Sequence, residues 1–127
     1  MALRLLLDTD VLVDYLRDRD EAVAYLEARA ESMLISAITV AELYAGVREG
    51  EERRRLAEFL AALEIIPVDA VIAQKGGLYR RDYGPSHGVG LADALIAATA
   101  ELHQARLVTL NAIHFPMVEV EVPYAKP

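Results

Sequence analysis

The sequence contains no cysteine, few histidines and no long apolar run, and each shortage excludes a class of protein. Without cysteine among its 127 residues the chain has no disulfides and no thiolate metal sites. The three histidines, His87, His103 and His114, show no paired zinc-ligand spacing, so any metal site must use mainly oxygen ligands. No apolar run approaches the ~20 residues of a membrane span, and the N-terminal leucine cluster is unlike a signal peptide. We therefore expect a cytoplasmic protein with no membrane association.

Basic residues are also in short supply. The chain has 13 lysines and arginines against 20 acids, which gives a net charge of −7. This balance argues against broad binding of nucleic acid by the bare surface, although it leaves room for a local basic patch. Consecutive arginines at 53–55 and 80–81 are suited to phosphate, but solvated helix faces are the simpler explanation for each cluster. Composition alone indicates no partner.

The length suits one domain over residues 1–127, and apolar segments alternate with helical ones along the chain. The leucine-rich run that ends at Asp8 has the pattern of a strand buried on both faces of a parallel sheet. Alternation of strands and helices predicts an α/β sandwich around a mostly parallel sheet. The predicted strands are 3–7, 33–38, 65–68, 107–110 and 118–122, and the predicted helices are 11–17, 21–30, 39–46 or 39–50, 53–63, 70–81 and 91–104. Residues 83–90, rich in glycine, are predicted to form a loop.

Three acids fall at the same predicted edge of the sheet. Asp8 ends the first strand, Glu42 lies in the first helical turn after the second strand, and Asp93 lies in the first turn of the helix before the fourth. Glu42 and Asp93 share their helix faces with apolar or small residues, so both are expected to point toward packed structure. An unpaired carboxylate there would be costly, and a divalent metal is the economical compensating charge.

Each acid also has a purely structural explanation. Thr39 and Glu42 have the spacing of a capping box, Asp93 has the position of a charged residue at a helix start, and Asp10 has that of an N-cap. For each acid taken alone, the structural explanation is favoured over metal binding. Taken together, however, three acids that converge on one edge of the sheet favour a metal site over separate structural roles, because a hard cation needs such a group of oxygen ligands.

Four segments in order carry a family resemblance. They are Leu6-Leu7-Asp8-Thr9-Asp10-Val11-Leu12, Ser36-Ala-Ile-Thr-Val-Ala-Glu42-Leu43, Ala92-Asp93-Ala-Leu-Ile-Ala-Ala-Thr99 and Leu107-Val-Thr109-Leu-Asn111. The pattern resembles the PIN-domain ribonucleases, and most of all the VapC toxins of type II toxin-antitoxin pairs. The resemblance spans about residues 3–116 and implies the PIN fold, a three-layer α/β/α sandwich.

The resemblance also implies a site and partners. Asp8, Glu42 and Asp93 would be the catalytic acids, with Asp8 and Asp93 as ligands of a Mg²⁺ or Mn²⁺ ion. The implied substrate is RNA, the implied partner is a cognate antitoxin that inserts a basic side chain into the acidic site, and the implied assembly is a homodimer. The remaining polar residues expected to orient ligands, water or substrate are Thr9, Asp10, Ser36, Thr109 and Asn111.

The chain departs from the family at one position. The family often has a fourth acid after the fourth strand, where this sequence has Asn111 and, before Phe115, His114. An amide oxygen can bind metal or orient its water without charge, so a second metal is in doubt. His114, like His87 and His103, is interpreted as a surface residue with no catalytic role.

Two other functions compete with a nuclease. The Asp8-Thr9-Asp10 segment after a strand also suits a haloacid-dehalogenase-type phosphatase with Asp8 as nucleophile, although Lys75 and Lys126 lie in unsuitable contexts for its lysine. The other alternative is an interaction module whose acids are structural. Such a module would bind no divalent ion.

Overall fold

The fold is a sheet of five parallel strands covered by helices on both faces. The structure is a computed structural model that describes residues 3–29 and 32–125. The elements in chain order are β1 (Arg4–Leu7), α1 (Thr9–Leu16), α2 (Asp20–Glu27), β2 (Ser32–Ser36), α3 (Ala37–Ala45), α4 (Glu51–Ala61), β3 (Glu64–Ile66), α5 (Ala70–His87), α6 (Leu91–Leu102), β4 (Arg106–Val108), a 3₁₀ turn (Ala112–His114) and β5 (Val120–Glu121). The predicted end of the second helix at residue 30 lies outside the described residues.

The strand order is β3-β2-β1-β4-β5, and every neighbouring pair is parallel. The leucine-rich strand β1 is central, and Leu5, Leu6 and Leu7 are fully buried, which confirms the predicted strand buried on both faces. Strand β3 ends just before Pro67 and forms one edge, whereas β5 forms the other with half-buried residues. Because all strands run in one direction, their carboxyl ends meet along one rim of the sheet.

Two apolar layers separate the helices from the sheet, which confirms the predicted α/β/α sandwich. Successive residues of β1 alternate between the layers: Leu5 and Leu7 pack with helices α1 to α4, whereas Leu6 packs with α5 and α6. All three leucines are fully buried. Among the residues that the structure describes, no helix is long and apolar enough to cross a membrane.

The start of α1 differs from the sequence interpretation. Asp8, not Asp10, is the N-cap, and its Oδ1 accepts the backbone N–H of Thr9 at 2.8 Å. The helix therefore begins directly after β1, and Asp10 lies in its first turn. A carboxylate at an N-cap satisfies a helix donor and is favoured by the helix dipole.

The start of α3 also lies earlier than predicted. Strand β2 ends at Ser36, whose buried hydroxyl accepts the N–H of Ile38 at 3.0 Å and so caps the helix. The capping box of Thr39 and Glu42 is therefore wrong. Glu42 is the sixth residue of α3 and lies in its second turn, not its first.

The loop predicted over 83–90 is wrong, because α5 continues to His87. Pro85 removes one helix donor, yet the chain remains helical on either side of it. The Tyr83 ring packs edge-on against the His87 ring with centroids 6.0 Å apart, which holds the last turn together. Gly88, with φ of 65°, supplies the left-handed residue that ends the helix.

Candidate active site

The rim formed by the carboxyl ends of β1, β2 and β4 gathers most of the polar residues that the sequence singled out. In parallel α/β sheets this rim is where ligands bind. Asp8 follows β1, α3 brings Glu42 from the side of β2, and the first turn of α6 carries Asp93. The segment after β4 adds three polar side chains, those of Thr109, Asn111 and His114.

Asp8 is the most buried acid of this group. Its Oδ2 accepts the hydroxyl proton of Thr109 at 2.7 Å, and its Oδ1 accepts the N–H of Thr9. Burial raises the pKa of Asp8 to about 7; the negative charges of Asp10 and, to a smaller extent, Asp93 add to this rise, whereas the two hydrogen bonds oppose it. The buried carboxylate therefore has hydrogen-bond donors, but no lysine, arginine or histidine of the described part of the chain forms an ion pair with it.

Thr9 links Asp8 to Glu42. Its backbone N–H donates to Asp8, while its hydroxyl donates to Glu42 Oε1 at 2.6 Å and lies 3.1 Å from the buried hydroxyl of Thr39. Glu42 itself is exposed. The expectation that Glu42 points into packed structure is therefore wrong, since the threonine hydroxyl holds its carboxylate at the open side of the rim.

Asp93 is half-buried, as predicted, and faces His114. Its Oδ2 lies 3.4 Å from Nδ1 of His114. Burial raises the pKa of Asp93, His114 acts in the opposite direction, and the negative charge of Glu42 adds to the rise. The influence of Asp93 on Asp8 and of Glu42 on Asp93 shows that these acids share one electrostatic environment.

Asp10 and Ser36, which the sequence also predicted for the site, each accept a backbone N–H. Asp10 Oδ2 accepts the N–H of Leu110 at 3.1 Å and so ties α1 to the segment after β4. The hydroxyl of Ser36 caps α3. Asp10 also contributes to the electrostatics of the rim, whereas the Ser36 hydroxyl bonds to its own helix.

Comparison with known proteins identifies the family. The model of the PIN domain matches residues 5–118. Ribonuclease VapC10 of Mycobacterium tuberculosis is 42% identical over 127 residues, and the match covers 97% of this chain and 95% of that protein. The chain belongs to the PIN-domain family, as a ribonuclease toxin of the VapC type. Toxin FitB of Neisseria gonorrhoeae is 35% identical over 135 residues, covering 93% of this chain and 95% of FitB.

A solved structure supports the same assignment. A toxin-antitoxin complex from Klebsiella pneumoniae contains a chain that superimposes with a TM-score of 0.84 at 32% identity, covering 96% of this chain and 99% of that one. The PIN fold is thus shared over nearly the whole length. Membership of this family excludes the phosphatase interpretation and the non-catalytic module.

The PIN-domain rim offers ligands that suit a hard divalent cation. Burial raises the pKa values of Asp8 and Asp93, and neighbouring negative charges, those of Asp10 and Asp93 on Asp8 and that of Glu42 on Asp93, add to the rise, so a bound cation would relieve this repulsion. Within residues 3–29 and 32–125, no three histidine, aspartate or glutamate side chains are placed to hold one ion together. Mg²⁺ keeps several waters and needs one or two carboxylates, so Asp8 and Asp93 are sufficient in ligand chemistry.

His114 is the residue of the rim that the sequence interpretation missed. It was interpreted as a surface residue, yet the structure places its ring between Asp93 and Asn111. The sequence feature that could have predicted its place in the site is its position three residues after Asn111 and directly before Phe115, a fully buried residue that anchors the segment. A short turn anchored on both sides cannot direct all its side chains into solvent.

Proposed function

We propose that this PIN-domain ribonuclease hydrolyses RNA phosphodiester bonds at the rim, with Asp8, Glu42 and Asp93 as the catalytic acids. A Mg²⁺ or Mn²⁺ ion bound by Asp8 and Asp93 would supply charge neutralisation at the phosphate and an activated water. The observation that carries the proposal is the buried, uncompensated carboxylate of Asp8 beside Asp93. RNA as substrate places the proposed activity in the cytoplasm.

The protein's own residues prepare the site in three ways. Thr109 and Thr9 fix both oxygens of Asp8, so its carboxylate cannot rotate freely. Thr9 also holds Glu42 at the open side, where its carboxylate can orient a water. These donors are hydroxyls and a backbone N–H, and within residues 3–29 and 32–125 no lysine or arginine forms an ion pair with Asp8, Glu42 or Asp93, so the acids stay available for a cation.

Phosphate binding falls to a basic residue outside the acidic rim. Most described arginines are in ion pairs, but Arg17 and Arg80 are in none among the described residues. The guanidinium of Arg80 lies over Gly84 in the last turn of α5, which precedes the helix that carries Asp93. We assign Arg80 to an RNA phosphate, and Arg81, paired with Asp82, to the helix surface.

The proposed protein partner is a cognate antitoxin. The Klebsiella pneumoniae structure is described as a toxin-antitoxin complex. In this chain a groove of about 790 Å³ lies between α1, α3 and α4, and Glu42 forms one end of it. The groove is lined by apolar residues together with acids and arginines. This lining suits an amphipathic helix that ends in a basic side chain near Glu42. A homodimer is proposed as the toxin's assembly.

The proposed nuclease is tested by cleavage of a mixed RNA pool. Metal-stripped protein is incubated with and without Mg²⁺ or Mn²⁺, beside Asp93→Asn in the rim and Asp82→Asn on the surface of α5. We expect cutting that requires the ion, that Asp93→Asn loses and that Asp82→Asn retains. The charge removed is the same in both variants, so only position distinguishes them.

Two results would contradict the proposal. Folded wild type that neither cuts RNA nor binds a divalent ion by calorimetry would exclude the metal site. Cutting that Asp93→Asn leaves intact would place the chemistry elsewhere on the molecule. Purification of the protein from nuclease-free extracts and comparison with a preparation of Asp8→Asn exclude a contaminating nuclease.

A further inference from the structure

The 3₁₀ turn after β4 presents its side chains in an order that burial alone does not explain. Ile113 is 71% exposed, whereas the His114 side chain beside it is 37% exposed and faces Asp93. Hydrophobic burial would favour the reverse, with isoleucine inside and histidine in water. A segment that violates its own local preference in this way is typical of a functional site.

The anchors of this turn keep the orientation fixed. Phe115, which follows His114, is buried in the layer beneath α6, and Asn111 begins the turn. The N–H of Asn111 donates to Thr109 Oγ1 at 3.0 Å, and the N–H of His114 donates to the carbonyl of Asn111 at 3.0 Å. With both ends held, the histidine ring has little freedom to leave the rim.

A continuous series of contacts joins the two proposed metal ligands through this turn. Asp8 accepts from the Thr109 hydroxyl, and that hydroxyl oxygen accepts the backbone N–H of Asn111. Nδ2 of Asn111 lies 2.8 Å from Nδ1 of His114, and that ring nitrogen lies 3.4 Å from Asp93. Asp8 and Asp93 come from different layers of the fold. The turn is therefore a brace that sets one carboxylate relative to the other.

We propose that His114 is a positioning residue of the nuclease, whose Nδ1–H donates to Asp93 and holds that carboxylate toward Asp8. The inference rests on the proposed function, because it assigns a role within that same site. It gives His114 no direct contact with the RNA. Its effect is exerted through Asp93, in the way that hydrogen-bonded partners orient the ligands of other metal sites.

The proton on Nδ1 fixes the orientation of Asn111. A neutral imidazole has one proton, and a lone pair on Nδ1 would face the Asp93 carboxylate and repel it. In the structure Nδ2 of Asn111 faces Nδ1 of His114. With the proton on Nδ1, two donors would face each other there, so the side chain is favoured when its amide oxygen takes the place of Nδ2. Amide oxygen and nitrogen exchange by a simple rotation of the side chain, so the brace can adopt this arrangement without moving the backbone.

The first test measures Mn²⁺ affinity by calorimetry on the full chain, together with kcat and KM for RNA. His114→Ala is compared with His114→Gln, which can still donate to Asp93, and with His87→Ala, an exposed histidine at the end of α5. We expect His114→Ala to weaken Mn²⁺ binding about 10- to 100-fold. His114→Gln should recover part of this loss, and His87→Ala should match the wild type. The loss of activity should appear in kcat, with KM for RNA unchanged.

The second test uses metal-free protein and needs no activity. Imidazole ¹⁵N signals report which ring nitrogen of His114 carries the proton. We expect the proton on Nδ1, and we expect Asp93→Asn to shift the His114 signals while His87 signals stay constant. A Nδ1 lone pair would overturn the proposed brace.

The outcomes separate this inference from the nuclease proposal. Wild type that binds Mn²⁺ and cuts RNA, with His114→Ala within about twofold of His87→Ala in both, would overturn the positioning role and leave the nuclease intact. Wild type that does neither would overturn the nuclease, and the assigned role of His114 would fall with it. Unfolding curves of the three histidine variants exclude a trivial loss of structure.

Discussion

Asp8→Asn is expected to make the metal-free protein more stable above about pH 7. Burial is the main cause that raises the pKa of Asp8 to about 7 in the folded protein, whereas an aspartate in an unfolded chain titrates near 3.9. Between these values the native state retains a proton that the unfolded chain has released. The free energy of unfolding of the wild type therefore falls as the pH rises through this window, and the full cost is present above it.

The magnitude follows from the width of the window. A separation of about three pH units corresponds to about 4 kcal/mol of destabilisation at high pH. That is a large fraction of the 5–15 kcal/mol that is roughly typical for a domain. Asparagine avoids the cost because it is neutral and nearly the same shape. Its oxygen can accept the N–H of Thr9, and its NH₂ group can donate to the hydroxyl of Thr109.

The assay is urea unfolding in a chelator, from about pH 4.5 to about pH 8.5, where the wild type and Asp8→Asn curves should diverge. At the upper limit the midpoint of the variant should lie about 2 M higher in urea for a slope of about 2 kcal/mol per molar, and near the lower limit the gap should be below about 0.5 M. Asp20→Asn, an exposed acid on α2, is the control and should parallel the wild type. A gap between wild type and Asp8→Asn that stays constant over the whole range would refute the reasoning.

Two further predictions concern neighbouring residues. Arg80→Gln should lower the salt dependence of RNA binding by about 0.7 in the slope of log K against log salt, measured by fluorescence anisotropy on metal-free protein. Arg81→Gln should leave the slope unchanged because Arg81 is paired with Asp82, and equal effects of the two variants would contradict the assignment. Thr109→Val should destabilise the fold by about 1–3 kcal/mol, because Asp8 and the N–H of residue 111 each lose a partner. Thr109→Ser keeps both bonds and should stay close to wild type in urea unfolding; a Thr109→Val protein as stable as wild type would contradict the role of the hydroxyl.

The sequence predicted the sheet and the position of two acids well, because both depend on local pattern. An unbroken leucine run can only be buried on both faces, so β1 is central and Asp8 lies at its exit. Asp93 lies in the first turn of its helix as expected. The order of the strands was not predicted, since it depends on how the helices pack across the two faces of the sheet. The pattern of apolar residues within one strand does not indicate which strands pair with it.

The wrong helix boundaries involve N-cap residues and the helix-breaking residues proline and glycine. Ser36 and Thr39 are both good N-caps, and only the end of β2 in space decides between them. Pro85 and its flanking glycine normally end a helix, yet rings at helical spacing continue α5 by packing against each other. Glu42 was expected to be buried because small and apolar residues share its helix face, but that face borders the open groove between α1, α3 and α4, so its carboxylate is exposed.

The site explains why the rim is braced by hydroxyls, an amide and an imidazole. A lysine or arginine beside Asp8 would lower its pKa and stabilise the metal-free fold, but it would also occupy the oxygens that a divalent ion needs. Threonine donors orient the carboxylate but stabilise its charge less, so the folded protein keeps both the burial that mainly raises the Asp8 pKa and the repulsion by Asp10 and Asp93 that adds to it. The same repulsion makes the rim attractive to any cation that reaches it. A metal ion and a basic side chain of the proposed antitoxin would therefore compete for the same negative charge. Inhibition of the nuclease by the antitoxin should weaken as the concentration of the divalent ion rises.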